Sequence, residues 1–160
     1  MTNDQKKLLV DKESKILRET ARAVDLKEIN SQKIKEVMRK MKKALHAEED
    51  GVAIAAPQIG ESLRIFVVSD KALALSKGTK RVSSSEKFED MVFINPEITK
   101  TSQKKRKMEE GCLSLRYLYG KVLRHEKATI TAYDKKGVKG TYGASGLLAQ
   151  IFQHEIDHLN

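Results

Sequence analysis

The chain has 160 residues, 39% of them hydrophobic and 33% charged, with a formal net charge of +9. That length supports one domain, 1–160, with its own core, while the lack of any apolar run near the roughly 20 residues of a membrane span excludes a helical membrane protein. One cysteine excludes an internal disulfide, and the charge favours only salt-sensitive attraction to anionic surfaces, since no zinc-knuckle, Walker or aromatic RNA-binding pattern marks a specific nucleic-acid site.

Residues 1–12 read as a polar, mobile start. Leu8-Leu9-Val10 within them is too short for a signal-peptide core, so the chain reads as cytoplasmic. A helix is predicted from Asn30 or Ser31, either of which can cap it. Ile34, Val37, Met38, Met41 and Leu45 follow three-four spacing there, with basic residues opposite. Gly51 to Gln58 is rich in small residues and lacks helical period. Such a loop lets a ligand's backbone approach closely, and a peptide can pair with it in strand fashion. Gln58 has two readings: a solvent-facing side chain on a tight core turn, or an amide donor to an oxyanion. Strands are predicted at Arg64–Val68 and Met91–Asn95, the second stopped by Pro96. Residues 76–90 read as an exposed loop and Thr101–Lys107 as a basic connector. Lys127–Tyr133 alternates cleanly, Asp134–Gly137 is a turn, and Val138–Tyr142 is a further strand. From Ser145, a candidate cap, the period turns helical through Leu147, Leu148, Ile151 and Phe152.

That last helix carries His154-Glu155-Ile156-Asp157-His158. Histidines four apart lie on one helix face and can bind one metal ion, and the intervening glutamate can act as general base toward its water. Cys112, in Glu110-Gly111-Cys112-Leu113-Ser114, is either a small buried hydrophobe or a third, thiolate ligand; beside the paired histidines the ligand reading is favoured. His46 and His125 have no such company and read as surface or local hydrogen-bonding residues.

Together the three stretches resemble the peptide deformylase family. Gly51-Val52-Ala53-Ile54-Ala55-Ala56-Pro57-Gln58 looks like its first motif, GxGxAAxQ; Glu110 to Ser114 matches EGCLS; His154 to His158 matches HExDH. Ile16-Leu17-Arg18, Ile94-Asn95-Pro96-Glu97 and Gly146-Leu147-Leu148-Ala149 extend the likeness over residues 13–160. The resemblance implies that Cys112, His154 and His158 hold one divalent metal ion, Fe(II) first, with zinc, nickel or cobalt as substitutes. It implies that Glu155 takes a proton from the attacking water and delivers it to the departing amine of an N-formylmethionyl nascent peptide. Gln58 and the Leu113 backbone N–H would stabilise the oxyanion. Val52, Gly111, Leu147, Ile151 and His154 would line the methionine pocket, beside Gly51 and Ala53, and Glu110 would pair with Arg124 behind the metal loop.

The chain departs from the pattern at Ala53, where the family has glycine, and at Leu115-Arg116, where it often has proline. A methyl at 53 would crowd the substrate backbone or restrict the loop. The fold expected is α+β: an N-terminal helix, antiparallel strands around a central HExxH helix, and no C-terminal helix beyond it. The protein would be a monomer with no membrane partner. Its charge would help draw it to the ribosome, which a pelleting assay without salt-sensitive binding would contradict. Two other readings are an HExxH protease acting on internal bonds and a silent, peptide-binding relative.

Overall fold

The computed structural model describes residues 9–11, 14–49, 51–76, 89–110 and 120–160. Helix α1, Gln32–His46, starts where the sequence placed it: the Ser31 hydroxyl accepts the Ile34 N–H at 3.3 Å, satisfying one of the donors left over at a helix start. Its five predicted apolar positions are all buried.

A five-stranded, wholly antiparallel sheet runs in the order β1-β2-β3-β6-β7, with β1 Ala53–Ala55, β2 Ile65–Val68, β3 Met91–Thr101, β6 Lys127–Tyr133 and β7 Lys139–Ser145. Alternate residues of a strand face opposite ways, and here both faces are covered. Ile54, Ile65, Val67, Val92 and Ile94 join the core beneath α1. Phe66, Val68, Phe93 and Ile130 join a second core beneath α3, Gly146–Leu159, with Ile151, Phe152 and Ile156. This is why β2 reads Ile-Phe-Val-Val without a polar residue. Phe93 stacks on Phe66 at 4.8 Å and meets Phe152 edge-on at 5.2 Å, joining sheet to helix.

Several expectations are corrected. The small-residue segment contains a strand, β1, followed by a 3-10 turn at Ala56–Ile59. Pro96 does not stop β3. The strand passes through it because the pairing with β6 shifts register between Ile94 and Glu97, and Asn95 takes a left-handed conformation (φ 52°) at the same place; an irregularity of this kind spares the proline a ladder hydrogen bond. The Asn95 side chain holds the early chain, accepting from Val24 N–H at 2.8 Å and donating to Val24 O at 2.9 Å.

Most of the basic connector is strand. β4, Lys105–Glu110, pairs with β5, Gly120–His125, as a separate two-stranded sheet. Its first three residues are all exposed and basic, so no apolar alternation announced it. A short helix α2, Asp70–Ser76, precedes the expected loop, of which 77–88 lies outside the described residues. Residues 1–8 and 12 also lie outside them. Leu9 and Val10, however, are docked: Leu9 packs on the α1 core and Val10 N–H donates to Gln58 O at 2.8 Å, so that part of 1–12 is not a loose tail. The last described element is a helix, α3, and it is the one that bears the HExxH residues. No helix among the described residues is long and apolar enough to cross a membrane.

Gly51 is explained from the α1 side. A Cβ there would stand 2.7 Å from Leu45 O and 3.3 Å from Glu48 O, so the glycine lets the chain pass close under the end of α1. Gly51→Ala is expected to cost about 1–3 kcal/mol through forced backbone shifts, read as a lowered chemical-denaturation midpoint with an unchanged m-value. An unchanged midpoint would contradict this.

Candidate metal centre and hydrolytic site

Helix α3 is pinned along its length. Gly146 opens it at φ 58° with its N–H donating to Glu126 O at 3.2 Å. Ser145 occupies the N-cap position as expected, but its side chain makes no cap bond. Immediately before His154 the buried Gln153 side chain grips β5 with both atoms of its amide: Oε1 accepts His125 N–H and Nε2 donates to His125 O, each at 2.9 Å. Gln150 Nε2 donates to Glu109 O at 2.9 Å. Neither glutamine was singled out from sequence. The signal available was a glutamine, Gln153, falling beside an apolar helical stripe.

This docking places His154 and His158 with their Nε2 atoms 3.1 Å apart. On the other side of the His154 ring, Nδ1 lies 2.8 Å from Glu110 Oε1. Arg124 of β5 donates to Glu110 through Nε and Nη2, both at 2.8 Å, and through Nη1 to Asp157. The Glu110 and Arg124 side chains are 7% and 12% exposed, so this is a buried, bidentate pair and not a weak surface contact. Burial pushes the Glu110 carboxyl up, but hydrogen bonds from Arg124 and His154 outweigh it and bring it to about 2. The hydrogen bond to Glu110 likewise holds Arg124 above its ordinary value, against burial, with Asp157 adding to it. Asp157 enters the sequence reading only within the HExDH match, with no role of its own; the structure gives it this partner.

Glu155 is buried between the two histidines in sequence, at 4% exposure. Gln58 is 1% exposed, and its Oε1 accepts the Ala55 N–H at 2.8 Å. The solvent-facing reading of Gln58 is therefore corrected, and with the oxygen accepting inside the turn the amide presents its –NH2 as donor. Val52 is exposed at the start of β1, an edge strand. Ile151 is buried and Leu147 partly buried beside it. The Ala53 methyl is buried in the same apolar cluster as Val68 and Ile151, where it adds to the core. Gly111, Cys112, Leu113 and Leu115-Arg116 lie outside the described residues.

The donor set fits a divalent transition metal. Two nitrogens bound at about 2.0–2.1 Å to one tetrahedral ion stand about 3.3 Å apart, close to the 3.1 Å between the histidines here. A carboxylate at the far nitrogen, as Glu110 is to His154, is the usual support of a metal-binding imidazole. Elsewhere His46, Asp70 and Asp90 bring ligand atoms within 4.8 Å of one another. Asp90 there already accepts the Asp70 N–H at the start of α2 and contacts His46 Nε2 at 2.5 Å. Lys42, Lys135 and Glu89 line the same pocket. His46 and His125 both make local contacts, the second with Ser102 O.

Known proteins share this arrangement of chain. The family model described as polypeptide deformylase matches residues 6–160. The chain is 39% identical over 148 residues to peptide deformylase 1A, chloroplastic/mitochondrial, of Arabidopsis thaliana, covering 91% of this chain and 55% of that protein; it thus spans little more than half the length of that relative. It is 35% identical over 149 residues to peptide deformylase 2 of Clostridium acetobutylicum, covering 92% of this chain and 85% of that one. A crystal structure of a class I type b peptide deformylase from Acinetobacter baumannii superposes with a TM-score of 0.80 at 30% identity, over 95% of this chain and 91% of that chain. One from Synechococcus elongatus, in complex with actinonin, gives 0.76 at 30% identity, over 95% and 72%. A match that runs from residue 6 to residue 160, over a chain whose helix α3 carries the paired histidines against Glu110, places this protein in the polypeptide deformylase family.

Proposed function

We propose that this chain is a metal-dependent hydrolase that removes the formyl group from N-formylmethionyl chain ends. The observation that carries the proposal is the pair of imidazole nitrogens 3.1 Å apart, one ring backed by Glu110, with Glu155 buried on the same turn. His154, His158 and Cys112 would hold the ion, which is Fe(II) in this reading, with zinc, nickel or cobalt as substitutes. When bound, the metal supplies Lewis acidity toward the formyl oxygen and lowers the pKa of water.

The remaining roles belong to the protein. The Glu110 carboxylate accepts the Nδ1 proton of His154, fixing the tautomer that directs the Nε2 lone pair at the ion. Gln58 donates its amide N–H, and Leu113 its backbone N–H, to the formyl oxygen as charge develops there. Glu155 takes a proton from water as the new C–O bond forms. It then returns the proton to the amide nitrogen as the C–N bond breaks. Formate leaves, and the chain end becomes a free amine. The edge of β1, at Gly51 to Ala53, receives the peptide backbone in strand fashion, and Val52, Gly111, Leu147 and Ile151 receive the methionine side chain. The single cysteine, which cannot close an internal disulfide, supports work in the reducing cytoplasm.

The test compares formyl-Met-Ala-Ser, acetyl-Met-Ala-Ser and a peptide offering only internal bonds, incubated with Fe(II)-loaded protein under argon. New primary amine is expected from the formyl peptide at least about 100-fold faster than from the other two. Cleavage of internal bonds without deformylation would replace the proposal with a protease.

A further inference from the structure

We infer that Arg64 is a positioning residue for the metal centre, fixing the end of α3 that carries His158; the inference rests on the metal reading proposed above. The last turn of a helix leaves carbonyls without partners inside the helix, and it frays unless something outside caps it. In α3 that turn contains His158 itself. The Arg64 guanidinium reaches it from the root of β2: Nη1 donates to Leu159 O at 2.9 Å, and Nη2 to Asn160 Oδ1 at 3.1 Å and to Pro96 O at 3.4 Å. Leu159 O also accepts the Ala21 N–H at 2.9 Å.

The base of this strap is rigid. Arg64 N–H donates to Arg22 O at 2.9 Å, and Arg64 O accepts the Asn95 N–H at 2.8 Å. Its carrier strand β2 lies inside the sheet, between β1 and β3. The two ends of the HExxH segment are thus held by different devices. Glu110 and Arg124 hold the His154 turn from β4 and β5, while Arg64 holds the last turn, which carries His158, from the five-stranded sheet. A planar, forked donor suits this task, since it meets three acceptors at once, where a lysine offers a single point of charge. Loss of the fork would let the final turn unwind and change the distance between the two Nε2 atoms.

The experiment measures Co(II) binding by wild-type, Arg64→Ala and Arg64→Lys proteins, by competition with a chelator and by the visible Co(II) spectrum. The unfolding midpoint of each metal-free protein is measured alongside. Arg64→Ala is expected to weaken Co(II) binding about 10-fold, the scale seen when an outer support of a ligand is lost, and to alter the spectrum, with Arg64→Lys between the two. Equal affinity and an identical spectrum in Arg64→Ala would overturn the inference, whatever happens to the unfolding midpoint. If Arg64→Ala does not fold, Arg64→Lys decides: wild-type affinity and spectrum in it overturn the inference, and weakened binding supports it. A wild-type protein that takes up no Co(II) overturns the metal reading, and the inference with it.

Discussion

Glu155→Gln is expected to lower formate release about 1,000-fold, within the range of losses attributed to a single general acid–base group, while the protein keeps its metal. Glu155 is 4% exposed on α3, so an isosteric amide leaves no cavity and disturbs the packing little. The amide cannot take a proton from water, and so cannot return one to the leaving nitrogen. His154 and His158 are untouched by the change. The check is kcat on formyl-Met-Ala-Ser together with metal content by elemental analysis. A variant that retains more than a tenth of wild-type turnover would remove Glu155 from the proton path. One that loses its metal would make Glu155 a support of the site and not its base.

The second large effect concerns Arg124. Arg124→Ala leaves the Glu110 carboxylate buried without the bidentate donor that keeps it charged. Breaking one side of such a buried pair costs about 3–5 kcal/mol, and the same change is expected to weaken metal binding about 10–100-fold, because Glu110 orients His154. The pH dependence carries a definite sign. Glu110 titrates near 2 in the folded protein against an ordinary value of 4.5. Its contribution is therefore complete above about 4.5 and is lost as pH falls toward 2. The stability gap between wild type and Arg124→Ala should be widest at neutral pH and narrow through that window. Denaturant midpoints at pH 7, 4 and 3 measure it. A gap that does not change with pH would show that the pair's charge is not what Arg124 protects.

How much of this was legible beforehand depends on what each residue had to signal. α1 was readable because its five core positions repeat at helical spacing and Ser31 supplies the cap. β6 was readable because one of its faces is buried and the other is not. β1 is only three residues long, too short for a period to emerge. β4 escaped notice because Lys105, Arg106 and Lys107 are all exposed, and its value to the site comes from pairing: Arg106 opposite Arg124 and Glu110 opposite Gly120 put Glu110 and Arg124 on one face of the ribbon. Pro96 misled because a register shift in the β3–β6 pairing is invisible in one strand's sequence.

At the site, the HExxH spacing alone brought His154 and His158 to one helix face. The contacts that fix them come from afar. Gln153 on His125, Arg124 on Asp157 and Arg64 on Leu159 join residues 28, 33 and 95 positions apart, and no local pattern encodes such distances. Gly51 was read from its flexibility, whereas the structure gives it a neighbour, Leu45 O, that no side chain could tolerate. Gln58 was divided between two readings because burial cannot be seen in sequence, and its 1% exposure removes the solvent-facing one.

The central claim is that this chain hydrolyses formyl amides only through one bound metal ion. The direct measurement is formate release from formyl-Met-Ala-Ser by chelator-stripped protein titrated anaerobically with Fe(II). The account predicts negligible release at the start and a rise that breaks at about one equivalent of metal per chain. Release from the stripped protein equal to that of the loaded one, or none at any loading with the metal confirmed bound, would contradict it.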